Sequence, residues 1–204
     1  MPSLAITGTL GSGKSLLLKE LTDALTRRGF ETLAFSSDEE NRHLLREDQE
    51  VRENLISSLG DGCLDKEGIP DRNRIRDLVS KSKAARESLE RIMHPRLERI
   101  WRPTAARYRK LKSSFFIAEI PLLYEKGLAE AFDTVLVIGC SDAIRKSRLV
   151  FFRSITEKQA DHWLSIQQSQ ERKISLADYL IWNDGSVDSL RRQLSPFLRS
   201  LCTP

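Results

Sequence analysis

The sequence predicts a three-layer α/β/α domain on a five-stranded parallel sheet, and three observations predict it. Short apolar runs alternate with longer helical stretches, the order that gives parallel strands joined by crossover helices. Two of those runs, Phe115 to Ile120 and Thr134 to Cys140, are apolar almost throughout, as strands covered on both faces are. The first run leads at once into Gly8-Thr9-Leu10-Gly11-Ser12-Gly13-Lys14-Ser15. That stretch fits a phosphate-binding loop, in its proper place between a strand and a helix.

Taken in order, Ser3 to Thr7 reads as a short buried strand, followed by the loop and a helix from Leu16 to Arg28. Leucines at 17, 18, 21 and 25 give that helix its apolar face, and Gly29 stops it. Thr32 to Ser36 is a second strand, ending at Ser37-Asp38. From Asn41 to about Lys110 the pattern is mostly helical, with one turn around Gly68-Ile69-Pro70-Asp71. This is longer than an ordinary crossover, so residues 41–111 are expected to form a helical insertion.

Strands three and four are the two apolar runs already named, and Glu119 is the one charge in the third. Ala143 to Gln170 reads as helical and strongly polar, and residues 143–174 are expected to form a lid. Asp178 to Trp182 is a fifth strand, closed by the turn Asn183-Asp184-Gly185, and a last helix runs to about Leu201. Segments 1–40, 112–142 and 175–204 then make up the nucleotide-binding core.

The loop's residue types are what its chemistry requires. Glycines at 8, 11 and 13 let backbone N–H groups turn inward around phosphate oxygens, and the following helix, entered through Ser15 and Leu16, adds the favourable end of its dipole. Lys14 is placed to reach the β- and γ-phosphates, and the Ser15 hydroxyl to ligate Mg²⁺. ATP and Mg²⁺ are therefore the expected cofactors. The guanine-specifying Asn-Lys-x-Asp of GTPases is absent from the sequence, and motor-type ATPases are generally larger than 204 residues. A small chain with an early acidic residue after strand two looks more like a kinase of small molecules.

Composition agrees. Net charge is +4, but basic and acidic residues interleave, as in Arg86-Glu87-Ser88-Leu89-Glu90-Arg91. That pattern suits solvated helix faces and a small polyanionic substrate rather than nucleic acid. No apolar run approaches the roughly 18 to 20 residues of a membrane span, and no secretory signal is read at the start, so a cytosolic location is expected. Cys63, Cys140 and Cys202 are too scattered for a disulfide framework, and His43, His94 and His162 show no metal spacing. No obligate protein partner is expected.

Six segments, the phosphate loop among them, carry in order a resemblance that spans nearly the whole chain. The loop resembles Gly-Gly-Ile-Gly-Ser-Gly-Lys-Ser. Ser36-Ser37-Asp38 stands where an Asp-x-Asp pair would. Gly68-Ile69-Pro70-Asp71-Arg72, Leu89-Glu90-Arg91-Ile92-Met93-His94-Pro95 and Pro121-Leu122-Leu123-Tyr124-Glu125 follow. Gln167, Lys173, Ala177-Asp178 and Asn183-Asp184-Gly185-Ser186 complete the series. Together they resemble the dephospho-CoA kinase family.

The resemblance implies transfer of the ATP γ-phosphoryl group to the ribose 3′-hydroxyl of dephospho-CoA. It implies that Asp38 orients and deprotonates that hydroxyl, with helix capping as the other reading of that residue. Glu119 stands where the family usually has Asp and is expected to contact Mg²⁺ through water, or else to cap or pair with a helix. Asp71, Arg72 and His94 are expected at the acceptor, although Pro95 after His94 also suits a helix start. Asn183 is expected on the adenine side, or as a turn residue.

Two departures stand out. Ser36 replaces the first carboxylate of the Asp-x-Asp pair. In the lid, the family has two arginines four apart and then Arg-x-x-x-Gln. Here Arg148 and Arg153 are five apart, Phe152 holds the position four after Arg148, and Trp163 precedes Gln167 by four. Five residues of helix turn through about 140°, so both arginines reach one phosphate only if the helix breaks. Ser154 or Thr156 is expected to cap a new helix there, leaving Arg153 in the break to act with Arg148 on phosphate. A nucleoside or nucleotide kinase, or a nucleotide-binding homologue without turnover, are the alternative readings.

Overall fold

The computed structural model describes residues 2–111, 113–153, 155–165 and 168–202. Five strands form one wholly parallel sheet: β1 (Ser3–Thr7), β2 (Glu31–Ser36), β3 (Ser114–Glu119), β4 (Thr134–Gly139) and β5 (Tyr179–Trp182), in the spatial order β2-β3-β1-β4-β5. The helices are α1 (Lys14–Thr26), α2 (Ser37–Glu47), α3 (Gln49–Leu59), α4 (Arg72–Lys81), α5 (Lys83–Tyr108), α6 (Asp142–Arg153), α7 (Glu157–Ser165), α8 (Gln170–Ile174) and α9 (Val187–Cys202).

The chain divides into two compact units, residues 1–36 with 103–204, and residues 37–102. In the first, β1, β3 and β4 are buried along their whole length. Their side chains alternate between two cores, as a period of two demands. Leu4, Ile6, Phe115, Ile117, Leu136 and Ile138 face one way and pack with α1 (Leu17, Leu21, Leu25) and α9 (Leu190, Leu194, Phe197). On the other face Phe116 meets Tyr108 and Phe132 with ring centroids 5.9 and 6.5 Å apart. A smaller cluster of Leu149, Ile155 and Ala160 joins α6 to α7, with Leu10 of the phosphate loop and Trp163 packed against it.

Helix ends follow local rules. Gly29, at φ +84°, closes α1: its N–H donates to Thr26 O at 2.9 Å, and Phe30 N–H to Leu25 O at 3.2 Å. This is the paired pattern of a Schellman cap. Thr156 and Gln159 cap each other at the start of α7, through Gln159 N–H to Thr156 Oγ1 (3.2 Å) and Thr156 N–H to Gln159 Oε1 (2.9 Å). Ser154 and Gln167, named in the sequence reading, lie outside the described residues.

Three expectations need correction. The helical pattern begins at Ser37, directly after β2, rather than at Asn41. Asp38 thus sits on the first turn of α2, where a carboxylate suits the helix dipole. Pro95 opens no helix, for α5 runs through it without interruption. The ring forgoes one backbone bond, a cost of about 3 kcal/mol; buried Met93, Leu97 and Trp101 on the same helix offset it. Finally, α6 does not end between Arg148 and Arg153 but includes both, and the chain leaves the helix only after Arg153.

In the second unit, Val51, Leu55, Cys63, Ile75, Val79, Met93 and Leu97 are buried. A turn from Leu64 to Pro70 closes with a single antiparallel bridge, and the Asp65 carboxylate accepts from Glu67 N–H (3.0 Å) and Ile69 N–H (2.8 Å).

Candidate active site

The phosphate loop leaves the carboxyl end of β1, in the middle of the sheet, where open parallel sheets bind their ligands. Two glycines have no substitute there. A Cβ on Gly8 would stand 2.3 Å from the Ile138 carbonyl oxygen of β4. A Cβ on Gly13, whose φ is +102°, would stand 2.3 Å from Asn183 Nδ2.

The loop is held from outside by side chains that grip its carbonyls. Asn183 Nδ2 donates to Ser12 O at 2.7 Å, while Asn183 N–H extends the β4–β5 ladder by donating to Gly139 O at 2.7 Å. From α6, Arg148 donates to Asn183 O (2.9 Å), Ser12 O (3.3 Å) and Gly11 O (3.4 Å). The sequence reading placed Arg148 on phosphate; its guanidinium is engaged here with backbone carbonyls. Arg153 ends the same helix.

Inside the loop, Lys14 is only 8% exposed and its Nζ donates to Thr9 O at 3.1 Å. Ser12 Oγ is buried, without a hydrogen-bond partner among the described residues. At the head of α1, Ser15 Oγ donates to Glu119 Oε2 at 3.1 Å, and Ser36 Oγ lies 3.5 Å from the same oxygen. Glu119 ends β3 with 2% exposure. The structure thus brings Lys14, Ser15 and Glu119 to one end of the sheet.

These groups fit ATP with Mg²⁺. A buried orphan hydroxyl, an ammonium resting on a carbonyl and inward-turned glycines suit a polyphosphate, and Ser15 with Glu119 suits a hard cation. Among the described residues no group of three or more His, Cys, Asp or Glu gathers as a metal cage. Mg²⁺ ordinarily needs none, taking one or two carboxylates together with substrate phosphates.

The acceptor-side residues lie in the second unit. Asp71 caps α4, its Oδ1 accepting from Arg74 N–H at 2.8 Å, and Arg72 opens that helix on the surface. His94 is half-buried in the middle of α5, and Asp38 half-buried at the start of α2.

Sequence reasoning quoted Glu125 and Lys173 only as parts of motifs and gave Gln170 no role, and so missed a second set of supports. Gln170, at the start of α8, holds both backbone groups of Cys140: its Nε2 donates to Cys140 O at 2.9 Å and its Oε1 accepts from Cys140 N–H at 3.1 Å. Lys173, one turn on and fully buried, donates to Pro121 O at 2.9 Å and pairs with Glu125 at 2.8 Å. Pro121 O also accepts from Thr7 Oγ1, at 3.2 Å. The motif at 121–125 is therefore architecture tied to the last residue of β1. The signal available in sequence was a Gln and a Lys three apart, one helical face, in a stretch otherwise polar enough to be solvated.

Electrostatics at the edge of the loop are fixed by the same contacts. Ser141 N–H on the Asp184 carboxylate (2.7 Å), with help from the Arg148 charge, holds Asp184 below the usual carboxylate range. Burial pushes the Cys140 thiol up. Burial, and then the Asp178 charge, push the Tyr124 hydroxyl up to about 12, and it donates to Leu176 O at 2.8 Å.

Comparison with known proteins gives the family. A family model described as dephospho-CoA kinase matches residues 3–189. The dephospho-CoA kinase of Corynebacterium diphtheriae is 32% identical over 94% of this chain and 93% of its own. That of Protochlamydia amoebophila is 31% identical over 97% and 95%. The solved dephospho-CoA kinase from Campylobacter jejuni shares the fold, with a TM-score of 0.63 at 24% identity over 98% of this chain and 96% of its own. With its phosphate loop, its parallel sheet and a match of this extent, the chain belongs to the dephospho-CoA kinase family.

Proposed function

We propose that this chain transfers the γ-phosphoryl group of ATP to the ribose 3′-hydroxyl of dephospho-CoA, giving CoA and ADP. The observation that carries the reading is the Ser15–Glu119 contact of 3.1 Å beside Lys14 at the head of α1. A hydroxyl, a carboxylate and an ammonium stand there where a nucleotide's β- and γ-phosphates and their cation would lie.

In this reading the loop N–H groups and Lys14 bind and orient the polyphosphate. Ser15 and Glu119 would hold Mg²⁺, the latter through water, and the cation would supply neutralisation of charge on the transferring phosphoryl oxygens. Asn183 and Arg148 form the adenine-side wall, and Arg148 keeps the loop carbonyls turned outward so that its N–H groups face the phosphates. Asp38 accepts the proton of the 3′-hydroxyl. Asp71, Arg72 and His94, within the insertion at 41–111, contact the acceptor. Segment 143–174 is the lid that excludes water, so that ATP is not lost to hydrolysis. Arg153 is the lid residue that meets phosphate on closure. The protein works in the cytosol and needs no protein partner.

The test is ADP release with ATP-Mg in the presence of dephospho-CoA, CoA, a nucleoside panel or no acceptor. Turnover with dephospho-CoA alone, its product identified as CoA by mass, is the expected result. Turnover with a nucleoside instead, or ATP binding without turnover on any acceptor, would overturn the reading.

A further inference from the structure

The phosphate loop has a second tether, on its inner side. Thr9, 2% exposed, stands where the family form quoted above has its second glycine, and its hydroxyl donates to Gln170 Oε1 at 3.4 Å. That oxygen is held in place by hydrogen bonds: the Gln170 amide makes two to the Cys140 backbone, and Ser169 caps the helix, its Oγ accepting from Arg172 N–H at 3.2 Å. The Thr9 carbonyl in turn accepts from both Ser12 N–H (3.3 Å) and Lys14 Nζ (3.1 Å). A line of polar contacts therefore runs from α8 through Thr9 to the lysine of the loop.

We propose that Gln170 is a positioning residue for nucleotide binding: through the Thr9 hydroxyl it fixes the Thr9 peptide, and so sets where the Lys14 ammonium waits before phosphate arrives. A threonine in a loop built for glycines has a side chain to be accommodated, and Gln170 gives that side chain a partner. Gln170 also sits at the far end of the 143–174 segment, opposite Arg148 near its beginning, so the segment holds the loop from both of its ends. The proposal rests on the reading of this loop as the ATP site.

The test is steady-state kinetics and thermal melting on full-length Thr9→Val, Gln170→Leu and the double variant. Thr9→Val keeps shape and leaves the Gln170–Cys140 pairing intact. It is expected to raise KM for ATP-Mg roughly 2- to 10-fold, the worth of one neutral hydrogen bond, with a smaller effect on kcat or on KM for the acceptor. Gln170→Leu is expected to raise KM for ATP equally and also to lower Tm, since it loses the Cys140 bonds. The double variant is expected to have the KM of Gln170→Leu alone, the non-additivity of one shared contact. Thr9→Gly should remove the dependence, so that Gln170→Leu in that background lowers Tm without raising KM further. An unchanged KM in Thr9→Val, or additive effects in the double variant, would overturn the proposal. Direct ATP binding by the parent and by Lys14→Ala checks the loop reading separately: binding that survives Lys14→Ala would sink that reading, whatever the Thr9 result.

Discussion

Asn183, Arg148 and Gln170 share a habit: each spends its side chain on backbone groups of the loop or of the residues that follow β4 and β5. Chemistry then falls to the few residues left inside. On the role proposed for Asp38, Asp38→Asn takes away the proton acceptor and leaves the loop intact, so ATP affinity should hold while kcat falls by about 10²- to 10⁴-fold; isothermal titration beside initial rates separates the two. Full activity in that variant would end the assignment of Asp38 as base. Gly13→Ala should lose about 1–2 kcal/mol of stability from its left-handed backbone alone. It should also lose ATP binding, since its Cβ meets Asn183; urea unfolding and nucleotide titration report each loss. The types and spacing of Gly8, Gly13, Lys14 and Ser15 made the loop legible in the sequence, and the lone charge of Glu119 in an apolar strand marked it out. The supports were not legible. A carbonyl is carried by every residue, so nothing in the letters at 11, 12 or 140 says that an Arg, Asn or Gln will seek it.

Elements were readable where burial sets the pattern. β1, β3 and β4 announced themselves as buried runs, while β2 and β5, more exposed, are legible from their place in the alternation; the sequence narrows the cap to Ser154 or Thr156. Ser37 and Pro95 misled because local preference was outweighed: nothing separates β2 from α2, and packing along α5 overrode its proline. Two consequences belong at this scale. Thr156→Ala should cost about 1 kcal/mol through the lost cap, seen as a lower urea midpoint. The second concerns α1 and α9, joined by Arg191 on the buried Glu20, at 2.7 and 3.1 Å. The Arg191 hydrogen bond, stronger than the opposing effect of burial, holds the Glu20 carboxyl below its ordinary 4.5. A depressed carboxylate stabilises the fold above that ordinary value and ceases to do so as pH falls through its folded value. Thermal melts from neutral to acid pH should therefore show the parent losing stability below about pH 4.5, and Glu20→Gln losing less over the same range.

At the scale of the molecule, the proposed function links ligand and fold, because a nucleotide that binds only the folded chain stabilises it. A nucleotide concentration of about 100 Kd adds roughly 2.7 kcal/mol. For a chain of 204 residues that is a rise of roughly 5–10 °C in Tm, and Lys14→Ala should abolish the rise. The sheet's wiring has a consequence of another kind, in time. Strand β1 takes both neighbours from far downstream, Ser3 opposite Phe116 and Leu4 opposite Thr134. The loop that follows it waits for Ile138 and Asn183 as well. On a ribosome the phosphate loop emerges ahead of β2, β3, β4 and β5, yet it cannot take its shape until β5 has followed it out. The helical unit at 37–102, whose buried side chains come from one continuous stretch, is free to form before then. What is written first is assembled last, and a nascent chain stalled before Asn183 would carry an intact motif with no site to bind a nucleotide.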